Sequence, residues 1–284
     1  MLDILIDAII DSVKLLPFLF LTYLIMEYIE HKTSDKTKET IKKSGKFGPL
    51  IGSILGIFPQ CGFSVAATNL YAARIITLGT LIAVYLTTSD EMIPIFISEA
   101  VPISVILKIL GIKLLIGIIA GFAIEFVLQL KNKDNDNKIA DLCEHEHCHC
   151  ENGILKSSLK HTFNIFIFIF LITLVINTII YLIGEDTLSS FISNRPILGP
   201  VIAGIVGLIP NCAASVIITQ LYLEGLITVA TLIAGLLVSA GVGLIVLFRV
   251  NKNLKENIKI VLLLYIIGVF SGILLEAIHI ENFI

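Results

Sequence analysis

The fold is decided by a segment that the chain contains twice. Its first copy, residues 48–86, reads GPLIGSILGIFPQCGFSVAATNLYAARIITLGTLIAVYL. Its second copy, residues 199–237, reads GPVIAGIVGLIPNCAASVIITQLYLEGLITVATLIAGLL. The copies align without a gap at an offset of 151 residues, and 19 of their 39 positions are identical. A proline, a polar residue and a cysteine interrupt both apolar copies at the same point.

The composition is that of a helical membrane protein. Hydrophobic residues make up 56% of the 284 residues and charged residues only 15%, whereas soluble domains carry about 25% charge. The apolar runs are continuous rather than alternating, which favours helices over strands. We therefore expect an all-α, polytopic protein of the cell (plasma) membrane. No nucleic-acid partner is expected, because the basic residues lie in short segments without interleaved aromatics.

The apolar runs predict six membrane-crossing helices besides the interrupted units. They lie at residues 10–30, 75–97, 104–130, 161–183, 226–248 and 258–280. Fifteen of the 20 Lys and Arg residues lie in or next to three connecting segments. By the positive-inside rule, these segments are expected to be cytoplasmic. They are residues 31–46, 131–160 and 249–258.

The lysines also constrain how the interrupted units cross the membrane. An even number of crossings must separate residues 31–46 from residues 131–160, and the helices at 75–97 and 104–130 already supply two. The unit at 48–73 is therefore expected to start and finish on one side, as a helical hairpin that its proline breaks.

The same reasoning makes the second repeat an inverted copy of the first, with its own broken hairpin at residues 199–224. We expect a first transmembrane repeat at 1–130, a cytoplasmic linker rich in His and Cys at 131–160, and an inverted second repeat at 161–284. Counting each hairpin arm as a short crossing gives ten crossings in total.

Each proline predicts a helix end in the middle of the membrane. Proline lacks an N–H donor and disfavours helix in the residue before it, so helices are expected to end at Phe58 and Ile209. A duplicated, interrupted unit is typical of secondary transporters, which bind substrate between their repeats. The candidate substrate-binding residues follow the breaks: Gln60, Cys61, Ser64, Thr68, Asn69, Asn211, Cys212, Ser215, Thr219 and Gln220. The alternative is a pair of kinked helices with small residues for tight packing.

Two adjacent carboxylates, Asp90 and Glu91, lie within an apolar run, and the second copy has glycine and valine in their place. Charges inside a membrane segment are costly and usually functional. We expect this acidic pair to bind a cation or to carry the protons that couple transport. The alternatives are an interfacial position, or neutralisation by Lys108 and Lys113 on the next helix.

The central linker contains CEHEHCHCE at residues 143–151, a dense set of metal-ligand side chains. Thiolate and imidazole favour soft or borderline metals, and the spacing fits no closed zinc motif. An accessory metal trap or sensor is therefore expected, with a low-complexity linker as the alternative. The candidate ligands are Cys143, His145, His147, Cys148, His149 and Cys150.

The duplicated GP(x)₉PxC segments, the TTSDE run and the Cys/His-rich linker resemble the family of ten-transmembrane heavy-metal exporters. Members of that family are labelled arsenic-efflux-like proteins or manganese transporters. The resemblance implies a permease that moves a metal or metalloid outward, such as manganese, another divalent metal or arsenite. The expected partners are the lipid bilayer and this substrate, with no resident cofactor, while homo-oligomer formation stays open.

Three other function classes are weighed against metal efflux. A passive metal channel would contain the same breaks, and a membrane metal sensor would use the Cys/His-rich linker as its main site. An enzyme is disfavoured, because the chain contains no G-x-x-x-x-G-K-[ST], H-E-x-x-H or G-x-S-x-G motif.

Overall fold

The computed structural model describes residues 47–58, 61–89, 91–131 and 198–283, together with scattered helical positions between 9 and 24 and between 159 and 178. The continuous ranges contain ten α-helices, numbered in chain order. The first five are α1 (Gly48–Gly56), α2 (Gly62–Ala72), α3 (Leu78–Thr87), α4 (Met92–Ser98) and α5 (Ile103–Lys131). The others are α6 (Leu198–Gly207), α7 (Cys212–Leu223), α8 (Val229–Val238), α9 (Gly243–Val250) and α10 (Leu254–Ala277). No strand occurs among the described residues, as expected for an all-α protein.

The order of the helices repeats along the chain. Each helix from α6 to α10 begins within one residue of the position 151 residues after the start of its counterpart among α1 to α5. Both helices are interrupted beside the prolines as predicted, although each ends two residues earlier than Phe58 and Ile209. α1 ends at Gly56 and α6 at Gly207, and helix resumes at Gly62 and Cys212. The repeat in sequence is therefore a repeat of helices.

The single helices predicted at 75–97 and 226–248 are corrected by the structure, because each is divided into two. Residues 88–91 separate α3 from α4, and residues 239–242 separate α8 from α9. In the second of these breaks Gly241 has a φ of 54°, a left-handed conformation that interrupts a right-handed helix. Hydropathy does not reveal such a break, because the flanking residues are apolar on both sides.

Four of the described helical stretches are long and apolar enough to cross a membrane: Leu78–Ser98, Ile103–Leu130, Val229–Val250 and Leu254–Ala277. The hairpin arms are shorter, with 9 residues in α1 and 12 in α7. At 1.5 Å per residue such arms extend roughly 14–18 Å, about half of the ~30 Å hydrocarbon core. Each of these two helices is therefore too short to cross the hydrocarbon core by itself.

The central helices are α3 and α8. Every residue of α8 and residues 79–87 of α3 are buried. α3 packs against α1 and α5, while α8 packs against α6 and α10. α5 and α10 expose large apolar side chains, including Leu115, Phe126 and Phe270. Such a surface is favourable in lipid and costly in water, which identifies a polytopic membrane protein.

Small residues allow these helices to approach closely. Gly48, Gly52 and Gly56 of α1 face α3, and a methyl group added at Gly56 would lie 2.7 Å from the carbonyl oxygen of Val84. The equivalent positions of α6 are also small residues. Small residues at every fourth position are the usual means by which membrane helices pack without a hydrophobic driving force. This packing fixes the inner ends of the hairpins against the core.

Gly121→Ala in α5 is expected to destabilise the protein, whereas Gly111→Ala in the same helix is not. A methyl group at Gly121 would lie 2.7 Å from Cβ of Pro49 and 2.9 Å from the carbonyl oxygen of Gly79, while no described atom lies within 4 Å of one at Gly111. Overpacking costs about 1–3 kcal/mol. Alanine otherwise stabilises a helix over glycine by roughly 0.5–1 kcal/mol. Thermal unfolding in detergent measures both variants, and equal midpoints would contradict this packing argument.

Candidate functional site

The two repeated cysteines meet in the interior of the molecule. Cys61 is the N-cap of α2 and Cys212 is the first residue of α7, and their Sγ atoms lie 3.2 Å apart. Both side chains are buried, with only 8% and 9% of their surface exposed. Because they occupy equivalent positions, the contact joins the same point of the two copies, as at the axis of a symmetric interface. This pair is called the dithiol below.

Aliphatic side chains from both repeats cover the dithiol. Val65 of α2 packs against it, together with Val242 in the break after α8 and Val246 in α9. α2 packs on α9, and α7 packs on α4, so the second arm of each hairpin contacts the opposite repeat. The dithiol therefore lies between the repeats, beside the break that divides α8 from α9.

The hydroxyl groups after each cysteine form the same hydrogen bonds in both copies. Ser64 Oγ donates to the carbonyl oxygen of Cys61, and Ser215 Oγ donates to that of Cys212, each at 2.8 Å. One turn later, Thr68 and Thr219 each donate to the preceding serine carbonyl at 2.6 Å. A hydroxyl whose proton is used in this way presents lone pairs to a ligand, which suits a cation.

One hydrogen-bond network distinguishes the two copies. The Tyr85 hydroxyl lies 2.5 Å from Oγ1 of Thr68, whose own proton goes to the Ser64 carbonyl, and it donates toward the carbonyl oxygen of Gly243 at 3.2 Å. The second copy has Leu236 in place of Tyr85. The first hairpin is therefore bonded through side chains to the start of α9, an asymmetry that the duplication in sequence does not indicate.

The amide side chains predicted to belong to the site differ in burial. Asn69 is 1% exposed and Asn211 is 3% exposed, so both lie in the buried part of the hairpins. Gln220, the counterpart of Asn69, is exposed and departs from the buried face expected for it.

Several predicted residues lie outside the described part of the chain: Gln60, Asp90, Cys143, His145, His147, Cys148, His149 and Cys150. Glu91 is described, and it is half-buried at the N-cap of α4. Within the described ranges, no group of three or more His, Cys, Asp or Glu side chains could hold a metal ion. The described site thus offers two thiols with hydroxyl groups beside them.

A buried lysine is a feature that the sequence analysis did not single out as a site residue. Lys113 of α5 is fully buried, and its Nζ donates to oxygen atoms at the ends of α3 and α8. Lys108 lies at the surface and donates to the carbonyl oxygen of Phe283 at 2.8 Å. The only signal in the sequence is a lysine within an apolar run.

An ion pair also joins the two repeats. Arg74, in the turn after α2, donates from Nη1 and Nη2 to the two carboxylate oxygens of Glu256 in α10, at 2.7 and 2.9 Å. Tyr71 donates to the same carboxylate. Hydrogen bonding to Glu256 raises the pKa of the Arg74 guanidinium above its ordinary value. Arg74 has a φ of 60° and its counterpart Gly225 a φ of 71°, so both copies make the same left-handed turn.

The fold and the buried dithiol define a class of protein: an all-helical, polytopic membrane protein whose interrupted helices enclose a site that contains thiols. The profile of a family described as "Putative, 10TM heavy-metal exporter" matches residues 1–184 and 153–284, two overlapping matches that together span the chain. The chain belongs to this family of membrane exporters, which is not a family of enzymes. The resemblance seen in the sequence is thereby confirmed. No curated protein and no solved structure matches the chain.

A double-mutant cycle on Arg74→Ala and Glu256→Ala is expected to show a coupling free energy of about 1–2 kcal/mol. The ion pair is bidentate, and its side chains are only one-fifth to one-third exposed. Its coupling free energy is therefore expected to exceed that of an ordinary surface ion pair. Denaturation in detergent measures the coupling. Arg249, which stacks on Phe168 at 5.2 Å, supplies the control. The changes in the free energy of unfolding caused by Arg249→Ala and Glu256→Ala should be additive in the double variant. If the changes caused by Arg74→Ala and Glu256→Ala are additive as well, the proposed link between the repeats is refuted.

Proposed function

We propose that this chain is a secondary transporter that exports a thiophilic heavy metal or metalloid across the cell membrane, and that the dithiol binds the substrate. The observation that carries this proposal is the 3.2 Å contact between two buried thiols in equivalent positions of the two repeats. Thiolates bind soft metals and metalloids in preference to hard cations. A substrate site between two repeats is also the arrangement that transporters built from interrupted helices use.

The geometry of the dithiol suits a chelated ion. A zinc–sulfur bond is about 2.3 Å, so two tetrahedral thiolate ligands lie roughly 3.8 Å apart. The Sγ atoms of Cys61 and Cys212 would need to separate by only about 0.6 Å to hold such an ion. Both cysteines lie at helix N-termini, where unpaired N–H groups stabilise negative charge. Ser64 and Ser215 supply oxygen lone pairs nearby.

We propose that the acidic pair, Asp90 and Glu91, neutralises the charge of the substrate or carries the protons that couple its transport. Val242 packs against the dithiol, and its repeat equivalent is Glu91 at the N-cap of α4. If the two repeats approach the dithiol in related ways, Glu91 lies near it on the other side, and we propose that Asp90 acts together with Glu91. A carboxylate in this position would bind a cation or take up the proton that the metal displaces from a thiol.

Alternating access is proposed to arise from rocking of the two repeats about the dithiol, with the second repeat inverted relative to the first. The mutual packing of α2 on α9 and of α7 on α4 supports this, because each hairpin would move against the opposite repeat. The linker at 131–160 is then cytoplasmic, and its Cys/His ligands at 143–150 serve as an accessory trap that delivers metal.

Manganese export is the second candidate, and the acidic pair favours it. Carboxylate, amide and backbone oxygen atoms suit Mn²⁺ better than thiols do. In that case Asp90, Glu91, Asn69 and Asn211 would provide the ligands, and the dithiol would only support packing.

Replacing both thiols, Cys61→Ser with Cys212→Ser, is expected to abolish export of the substrate. Cells expressing the chain are challenged separately with Mn, Zn, Co, Cd and arsenite, and their metal content is measured by elemental mass spectrometry. Expression of the native chain should lower one thiophilic element. The double variant should reduce that effect at least about tenfold, because a direct metal ligand contributes more than a group that hydrogen-bonds to a ligand, whose loss typically costs about 10–100-fold.

A matched control replaces the three linker cysteines at 143, 148 and 150 by serine and should keep most of the export. Full export in the Cys61/Cys212 variant, together with its loss in Asp90→Asn, would overturn the thiol proposal in favour of manganese. Loss of all activity on deletion of residues 141–152 would indicate a sensor. Flux into proteoliposomes that does not respond to a pH gradient would favour a channel over a proton-coupled transporter.

A further inference from the structure

A buried ammonium group lies where two interrupted helices end. Lys113 Nζ donates to the carbonyl oxygen of Thr88, to Ser89 Oγ at 3.1 Å and to the carbonyl oxygen of Leu236 at 3.3 Å. Thr88 is the C-cap of α3, and Leu236 lies in the last turn of α8. One ammonium group therefore bonds the ends of corresponding helices in the two repeats.

The oxygen atoms around Lys113 are acceptors that the breaks leave available. In an uninterrupted helix the carbonyl of Leu236 would accept from the amide of Ala240, but that amide bonds Val238 at 2.9 Å. The Ser89 hydroxyl uses its proton on the carbonyl of Thr87 at 3.0 Å, so its lone pairs face the ammonium. Helix C-termini also carry partial negative charge. The surroundings thus favour a cation.

These acceptors also resemble the usual ligands of a coupling ion. In transporters with discontinuous helices, unwound carbonyls and the C-terminal ends of half-helices coordinate Na⁺. Carbonyl and hydroxyl oxygens suit hard cations, in contrast to the dithiol. The second repeat has the buried Leu264 at the position equivalent to Lys113, so the ammonium has no counterpart there.

We propose that Thr88, Ser89 and Leu236 form a monovalent-cation site and that Lys113 occupies it as a tethered cation. The protein then needs no bound Na⁺ or K⁺ to hold its interrupted helices together. Removal of the ammonium group should leave a site that accepts a small free cation. This inference goes beyond the proposed function and does not depend on the identity of the transported substrate.

The test is the thermal unfolding of purified full-length Lys113→Ala in detergent, at constant ionic strength. In choline chloride the midpoint should fall by about 5 °C or more relative to the native chain, because several oxygen acceptors lose their donor. Propylammonium, which matches the part of the side chain that alanine lacks, should restore at least half of the loss, and Na⁺ should restore part of it. The native chain should unfold at the same temperature in Na⁺, K⁺ and choline.

Lys108→Ala is the matched control, because Lys108 lies on the same helix and donates to a carbonyl oxygen at the surface. Its midpoint should not respond to any of these cations. Lys113→Met is the second variant. Its side chain ends one atom short of the ammonium, so Na⁺ should stabilise it and propylammonium should not.

Two results would overturn the proposal that Lys113 acts as a tethered cation. One is a loss of stability in the Lys113 variants that no cation restores, which would make Lys113 a packing residue. The other is Na⁺-dependent stability in the native chain, which would mean that a free ion already occupies a site. The second result is measured on the native protein and does not require that any variant folds. Because no transported substrate is present, either result leaves the dithiol proposal intact.

Discussion

The hydrogen-bonding demand of interrupted backbone at membrane depth is the constraint on which the rest of this structure depends. Each broken helix leaves amide and carbonyl groups without their helical partners, and lipid offers none in exchange. The protein meets this demand with its own side chains. Lys113 of α5 donates to the carbonyl oxygens of Thr88 and Leu236 at the ends of α3 and α8. Polar side chains in an apolar interior are therefore found where helices stop.

Close packing of small residues brings these polar groups together. Glycines in α1 and α5 let the backbones around α3 approach to contact distance, and the same pattern recurs around α8. The inner ends of the two hairpins are thereby held against each other, so that two cysteines from distant parts of the chain touch. The two thiols lie at helix N-termini, and this combination is the reason that we propose a soft metal or metalloid as the substrate.

The two halves are not identical despite the duplication, and the residues that differ include several for which a function is proposed. The first copy carries Asp90 and Glu91, Tyr85 and Lys113, where the second copy has only uncharged residues in the same places. Symmetric contacts thus form the dithiol, while these charged residues belong to the first copy alone. Under the proposed function, both halves would share the binding of substrate and the first half would contribute the coupling charge.

The helical class, the repeat, the proline breaks and the candidate cysteines could be predicted from the amino-acid sequence, because hydropathy, proline chemistry and an ungapped duplication can be read from the chain alone. Three features could not be predicted in this way: the early ends of α3 and α8, the exposure of Gln220, and the bonds of Lys113 and of the Arg74–Glu256 pair between the repeats. These features depend on which groups meet across helices. A helix stops within an apolar run when another part of the fold supplies partners for its free carbonyls, and no local pattern encodes that supply.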